Sequence, residues 1–475
     1  MTMRRRDAIK TIGGLAGAAA LARMLPGCGT DKGTPGIKNY VFMMLENRSY
    51  DHMFGSRFFL ENNTAGDGPA ASLLLPDTNG NMVGLFQAEP DHECDLDPPH
   101  GWDELHSSFN NGACDGFVQQ QQLAHPGVTG VDAISPMQYL VRDLVPVSYA
   151  LADAYTTCDR WFASMMGPTY PNRFYWMTGS ANGMMDNTLP SGPLTWPSIF
   201  NRIDDKKVDW AYYYGSVPVI SALNDPGPYA LDLGSDDGIH GRLRPMQQFM
   251  FNAMAGKLPP ISYIDPFFYG NDDHPPIHPI NGQELIATVY SALAMSPQWE
   301  NCMLVITYDE CGGFMDHVPP PQVPDDFAST GFNQLGFRVP AMVVGPYAKQ
   351  GYVSHTQYDH TSALKHLMNT FDLENLNMRT AAANDLTDCI DMERLMAGEP
   401  SKPIALPTVD PSAFPMPAAC QYSGDIASFP IKDPISEWAS LNQAKLGKLD
   451  RRGKYDEYRR ELREFMKTAR ARQNA

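Results

Sequence analysis

Five runs of strand length are dominated by apolar and aromatic positions: residues 40–45 (YVFMML), 208–214, 261–264, 303–308 (MLVITY) and 339–344 (VPAMVV). Near-continuous apolar runs of this length predict strands buried on both faces. Helical patterns lie between them, over residues 136–153, 171–179, 282–295 and 361–371. Strands alternating with helices predict an α/β fold with a mostly parallel central sheet and helices on both faces. In such folds ligands gather at the carboxyl edge of the strands. Residues 40–45 run straight into Glu46-Asn47-Arg48-Ser49, and residues 303–308 run into Asp309-Glu310. Two acidic clusters at two strand ends can therefore converge on one point.

Composition adds a sizeable core, with 43% hydrophobic and 19% charged residues, and 40 prolines and 39 glycines spread along the 475-residue chain predict many ordered loops. The net charge of −18 argues against a nucleic-acid partner. Any anionic ligand on so acidic a chain would have to draw local positive charge from a metal, histidines or arginine.

The first 27 residues read as an address. Arg4, Arg5, Arg6 and Lys10 precede a weakly apolar run over 12–25, which resembles a twin-arginine export signal and implies the twin-arginine machinery as a partner. The run ends Leu25-Pro26-Gly27-Cys28, similar to a lipoprotein cleavage box with Cys28 as the lipidated, membrane-attached residue; simple cleavage and release is the alternative. The expected location is periplasmic, secreted or on the outer surface as a lipoprotein. Residues 28–36 read as a linker, 37–400 as the main domain, and 401–475 as an extension packed on it and ending in a charged helix. Proximity alone pairs Cys94 with Cys114 and Cys389 with Cys420.

Glu46, Asn47, Asp309 and Glu310 offer only oxygen ligands, which suit one divalent ion such as Ca²⁺, Mg²⁺ or Mn²⁺. Solvated acids or helix caps are the plainer alternative. In Gly167-Pro168-Thr169-Tyr170-Pro171-Asn172-Arg173, Pro171 fits the first helical position and puts Thr169 just ahead of a helix. The positive helix end favours an alkoxide there, and a metal on the same oxygen would make it a nucleophile. Arg173, with Asn172 beside it, is placed to contact substrate, its guanidinium forking onto phosphate oxygens. An ordinary helix start is the competing reading. His100, His274, His317 and His360 each sit beside an aspartate or a proline-fixed turn, as a general acid or phosphate donor requires, although loop histidines are commonly plain surface groups. Trp102, Tyr155, Trp161, Tyr170 and Trp176 can furnish either an aromatic box for a quaternary ammonium group or core packing.

Six segments in order, ENRSYDHMFG (46–55), DPPHGWDELH (97–106) with GACDGFV (112–118), GPTYPNRFYWMTGS (167–180), DDHP (272–275), ITYDECGGFMDHVPPP (306–321) and 338–367, resemble the bacterial phosphoesterase family of phospholipases C and acid phosphatases. The resemblance spans roughly residues 37–372 and implies an alkaline phosphatase-like α/β fold. It implies Thr169 as nucleophile and metal ligand, and Glu46, Asn47, Asp309 and Glu310 as the other ligands of a single metal. It implies His100, His274 and His360, with His317, as contacts to phosphate or leaving group, and hydrolysis through a phospho-threonine. Cys311 and Gly312 depart from the polar residues that follow the acid pair in related enzymes. Phospholipid diesters are the leading substrates, phosphate monoesters the alternative, and non-catalytic binding of a phosphorylated ligand by a lipoprotein a third reading. A threonine at the head of the Thr169-Tyr170-Pro171-Asn172-Arg173 pattern cannot give the formylglycine of a sulfatase.

Overall fold

The computed structural model describes residues 36–89, 96–188, 194–216, 218–223, 241–268 and 270–409. The export signal, Cys28, Cys94, Cys420 and most of the predicted extension lie outside them.

Eight strands form the central sheet: β1 (Asn39–Leu45), β2 (Thr156–Cys158), β3 (Trp210–Tyr214), β4 (Leu243–Pro245), β5 (Ile261–Asp265), β6 (Cys302–Tyr308), β7 (Ala341–Val344) and β8 (Tyr352–Ser354). Their order is β8-β2-β7-β6-β1-β5-β3-β4. Strand β7 runs antiparallel to β6 and β2, and the other neighbouring pairs are parallel. All five predicted strands are present. The three strands missed, β2, β4 and β8, are three residues long, too short for an apolar run to mark them.

Four helices match predicted segments: α1 (Pro146–Ala154), α2 (Thr169–Thr178), α3 (Ile280–Ala294) and α4 (His360–Phe371). The helix predicted over 136–153 is broken. A 3₁₀ stretch, Gly130–Met137, contains Pro136, and the α-helix restarts only at Pro146, where the missing N–H of proline costs nothing. Alternate side chains of a strand point to opposite faces. On one face of β1, Tyr40 meets the rings of His366 and Phe371 in α4, and Phe42 meets Trp176 in α2. Val41 and Met43, on the other face, are equally sealed from water. Helices α1 and α3 form a second packed pair, tied by Ser148 N–H to Gln283 Oε1 (2.8 Å) and Gln283 Nε2 to Ser148 Oγ (2.9 Å). Burial on both sides is why the central strands read as unbroken apolar runs.

The start of the predicted extension packs on this domain. Ser401 accepts from Trp299 Nε1 at 2.8 Å, and the Ile404 N–H donates to Tyr290 at 2.7 Å. Among the described residues no helix is long and apolar enough to cross a membrane.

Candidate active site and metal centre

Strands β1 and β6 are parallel neighbours, with Leu45 opposite Tyr308. Glu46 and Asp309 therefore leave the sheet side by side. Asn47 takes a left-handed conformation (φ 59°), tolerable for asparagine, and turns its N–H onto Asp309 Oδ1 at 3.2 Å. The chain turns back at Gly312 (φ 63°), whose N–H donates to Glu310 Oε2 at 2.6 Å. A Cβ on Gly312 would lie 2.3 Å from the Asn47 carbonyl, so only glycine lets the two strand ends close together.

Helix α2 meets this cluster. Arg173 is buried, with Nε 3.2 Å from Asp309 Oδ2, Nη1 3.1 Å from Asp265 Oδ1 and Nη2 3.2 Å from Glu46 Oε1. Thr169 lies four residues earlier and so on the same helix face, one turn nearer the positive end. It is the first helical residue, and Pro171 the third; the sequence placed Pro171 first and Thr169 outside.

The charge balance at this point invites a cation. Burial raises the carboxyl pKa of Asp309, with Arg173 opposing. Burial also pushes Glu310 up to about 8, and adjacent Asp309 adds to the rise although His100 opposes it. Asn47 Oδ1 and Glu310 Oε1 are buried and accept no hydrogen bond among the described residues. Orphaned hard oxygens beside buried carboxylates fit a divalent cation, and Glu46, Asn47, Asp309 and Glu310 are the residues that would hold it.

Two of the four histidines face this cluster. His100 Nδ1 is 2.7 Å from the Pro98 carbonyl, and His274 Nδ1 is 2.6 Å from that of Pro275. Each Nδ1–H thus donates to backbone, which turns both Nε2 atoms inward. The rings lie 5.7 Å apart. His100 Nε2 is 3.3 Å from Asn47 Nδ2 and 3.9 Å from Glu310 Oε1. Burial pulls the His100 imidazole down, but the carboxylates of Asp97 and Glu310 outweigh it and raise it to about 9. Asp97, which sequence reasoning passed over inside its own motif, lies 3.6 Å from His100 Nδ1 and 3.9 Å from His274 Nε2. Its position three residues before His100 was the available signal.

Four expected roles are corrected. The Arg173 guanidinium is committed to three carboxylates and to the Met44 and Leu45 carbonyls, so it clamps the cluster rather than gripping phosphate. Asn172 is fully buried and staples its own loop, accepting from Met165 N–H and donating to the Gly167 carbonyl at 2.9 Å. His360 is also fully buried. Its Nδ1 accepts from Trp161 Nε1 (3.3 Å), so its Nε2–H donates to the Asp309 carbonyl (2.6 Å). Burial lowers its pKa to about 4, so it is a neutral strut under Asp309. His317 joins a different cluster, 2.6 Å from Asp51 and 3.4 Å from Asp67, with Arg338 bridging Asp51 and Asp316.

The five aromatic residues form no box. Trp161 and Trp176 flank buried His360, Tyr155 bonds Tyr290, Tyr170 packs near Phe174, and Trp102 lies against His106 and Phe332. Tyr155, Trp161, Tyr170 and Trp176 are buried, and Trp102 is half-buried.

The chain is similar to proteins of known activity. A family model described as "Phosphoesterase family" matches residues 37–374. Non-specific phospholipase C6 of Arabidopsis thaliana is 30% identical over 431 residues, covering 82% of this chain and 79% of that one. Phospholipase C B of Mycobacterium tuberculosis is 31% identical over 426 residues, covering 77% and 80%. Among solved structures, the lipoteichoic acid synthase LtaP from Listeria monocytogenes aligns with a TM-score of 0.35 at 9% identity, covering 77% of this chain and 80% of that one. The family assignment rests on the sequence matches, which extend over the strand ends, the α2 start and the histidine loops described above. On that ground this chain belongs to the phosphoesterase family and is a hydrolase of phosphoester bonds.

Proposed function

We propose that the chain is an exported, metal-dependent phosphoesterase of the phospholipase C type, acting on phosphodiester lipids through a phospho-threonine. The observation that carries this is the convergence of the β1 and β6 ends under α2, where Arg173 holds Glu46 and Asp309 one helical turn from Thr169. The relatives named above, both phospholipases C, favour a phospholipid substrate. Export rests on the reading of residues 1–27 alone.

Thr169 Oγ1 loses its proton to solvent and forms the new bond to phosphorus while the bond to the leaving oxygen breaks. The helix start lowers the cost of negative charge on that oxygen. One bound divalent cation of the Ca²⁺, Mg²⁺ or Mn²⁺ kind, held by Glu46, Asn47, Asp309 and Glu310 with Thr169, would polarise the phosphoryl group and stabilise the alkoxide. His100, favoured in its charged form by Asp97 and Glu310, would give up the Asn47 Nδ2 contact to carry a proton on Nε2 for a phosphoryl or leaving-group oxygen, and His274 faces the same space. Water then attacks phosphorus and releases Thr169.

The test is hydrolysis of p-nitrophenyl phosphorylcholine and p-nitrophenyl phosphate side by side by metal-loaded protein. Faster cleavage of the diester is expected, with loss of about 10³-fold or more in Thr169→Ala. Faster cleavage of the monoester would make the enzyme a phosphatase. Unchanged rates in Thr169→Ala would end the phospho-threonine mechanism.

A further inference from the structure

All five cysteines among the described residues are buried, and two of them touch. Cys158 ends β2, and Cys389 ends the short 3₁₀ turn Leu386–Cys389, 231 positions further along the chain. Their sulfurs are 3.7 Å apart. Hydrogen bonds pin the backbone on both sides. The Cys389 carbonyl accepts from Thr156 Oγ1 at 3.2 Å and from the Lys349 N–H at 3.0 Å. The neighbouring Asp388 accepts from Ser354 Oγ at 2.6 Å and from Lys349 Nζ at 3.0 Å. These hydrogen bonds hold the segment carrying Cys389 against β2, and the two sulfurs stand within reach of a bond of about 2.05 Å.

We propose that Cys158 and Cys389 form a disulfide that staples the segment after residue 385 to the sheet beside its β8 edge. Pairing by sequence proximity had joined Cys389 to Cys420 instead. The oxidant is a disulfide, protein-borne or of low molecular weight. One cysteine thiolate attacks it and forms a mixed disulfide; the second displaces the oxidant's remaining thiol. Two protons and two electrons leave the pair, and the oxidant departs as two thiols. Burial disfavours the Cys158 thiolate in the closed fold, so exchange takes place while the chain is still folding.

The staple closes a long loop, the case in which a cross-link most restricts the unfolded chain. It also anchors the strand that leads, three residues on, to Trp161, which orients His360 beneath Asp309.

Full-length protein produced in an oxidising compartment, alkylated under denaturing conditions and digested without reductant, tests this by mass mapping. One cross-linked species joining the Cys158 and Cys389 peptides is expected, lost on reduction. Reduction is expected to lower Tm by about 5 °C or more in the wild type and to leave Tm unchanged in Cys158→Ser. Recovery of both residues as alkylated thiols from folded, oxidised protein overturns the proposal. So does Cys389 bonded to any other cysteine.

Discussion

Arg173 shows how much one side chain is asked to do. Its three nitrogens reach Glu46, Asp265 and Asp309, and Asp265 is itself held by Tyr212 Oη (2.7 Å) and the Val219 N–H (2.8 Å). A planar fork can serve three acids at once, whereas a lysine offers one compact charge. Arg173→Lys should lose about 3 kcal/mol of stability, read from urea unfolding, together with bound metal, read by elemental analysis. If that variant kept both and only raised KM, Arg173 would be a substrate grip after all. Glu310→Gln asks a narrower question. Its Oε1 is buried and accepts no hydrogen bond among the described residues, its nearest opposite charge being His100 at 3.9 Å, so removing the charge costs the fold little but costs the cation a ligand. Metal content should fall at least tenfold with Tm of the metal-free protein changed by less than about 2 °C.

At the scale of elements, the turn after β6 decides whether the two acid-bearing strand ends meet. Gly312 and Gly80 share a positive φ, at 63° and 82°. A Cβ at Gly80 meets nothing within 4 Å, while one at Gly312 meets the Asn47 carbonyl and Cβ. Gly80→Ala should therefore cost only the backbone term, about 1 kcal/mol. Gly312→Ala should cost at least about 1 kcal/mol more and weaken metal binding, since it pushes Asn47 away from Asp309. Equal destabilisation of the two variants in denaturant melts would show that the strand ends tolerate separation.

Across the whole molecule, histidines shifted in opposite directions shape the pH profile. His317 is lowered by burial but raised further by Asp51 and Asp67, to about 10 in the fold. A folded pKa above the unfolded value adds stability that is full below about pH 6.5 and is lost as pH rises through about 10. His360 has the opposite sign. Burial depresses it to about 4, so its contribution is full above about pH 6.5 and is lost as pH falls towards 4. His366, also buried and lowered, adds in the same direction. On these histidines alone Tm would peak near neutral pH, and Glu310, raised by burial to about 8, draws the maximum to the acid side. On the alkaline side Tm should fall by about 3 °C or more by about pH 9.5, and His317→Gln should make that limb shallower, with His100, raised to about 9, supplying the rest, while leaving the acid limb in place.

The apolar runs alone fixed where β1, β3, β5 and β6 would lie, because a strand buried on both faces is apolar at nearly every position. They also located the acids at the strand ends, and the order of six short motifs named the family. Only the tertiary structure decided what the polar residues near those ends touch. Arg173, Asn172 and His360 looked like substrate contacts because their residue types suit phosphate, yet each is satisfied from within. Asp97, in turn, gained its place beside His100 and His274 only once its loop was folded. Apolar burial leaves a periodic trace along the chain. The partner of a buried polar group is chosen in space, between residues such as Cys158 and Cys389 that the sequence separates by 231 positions, and leaves none.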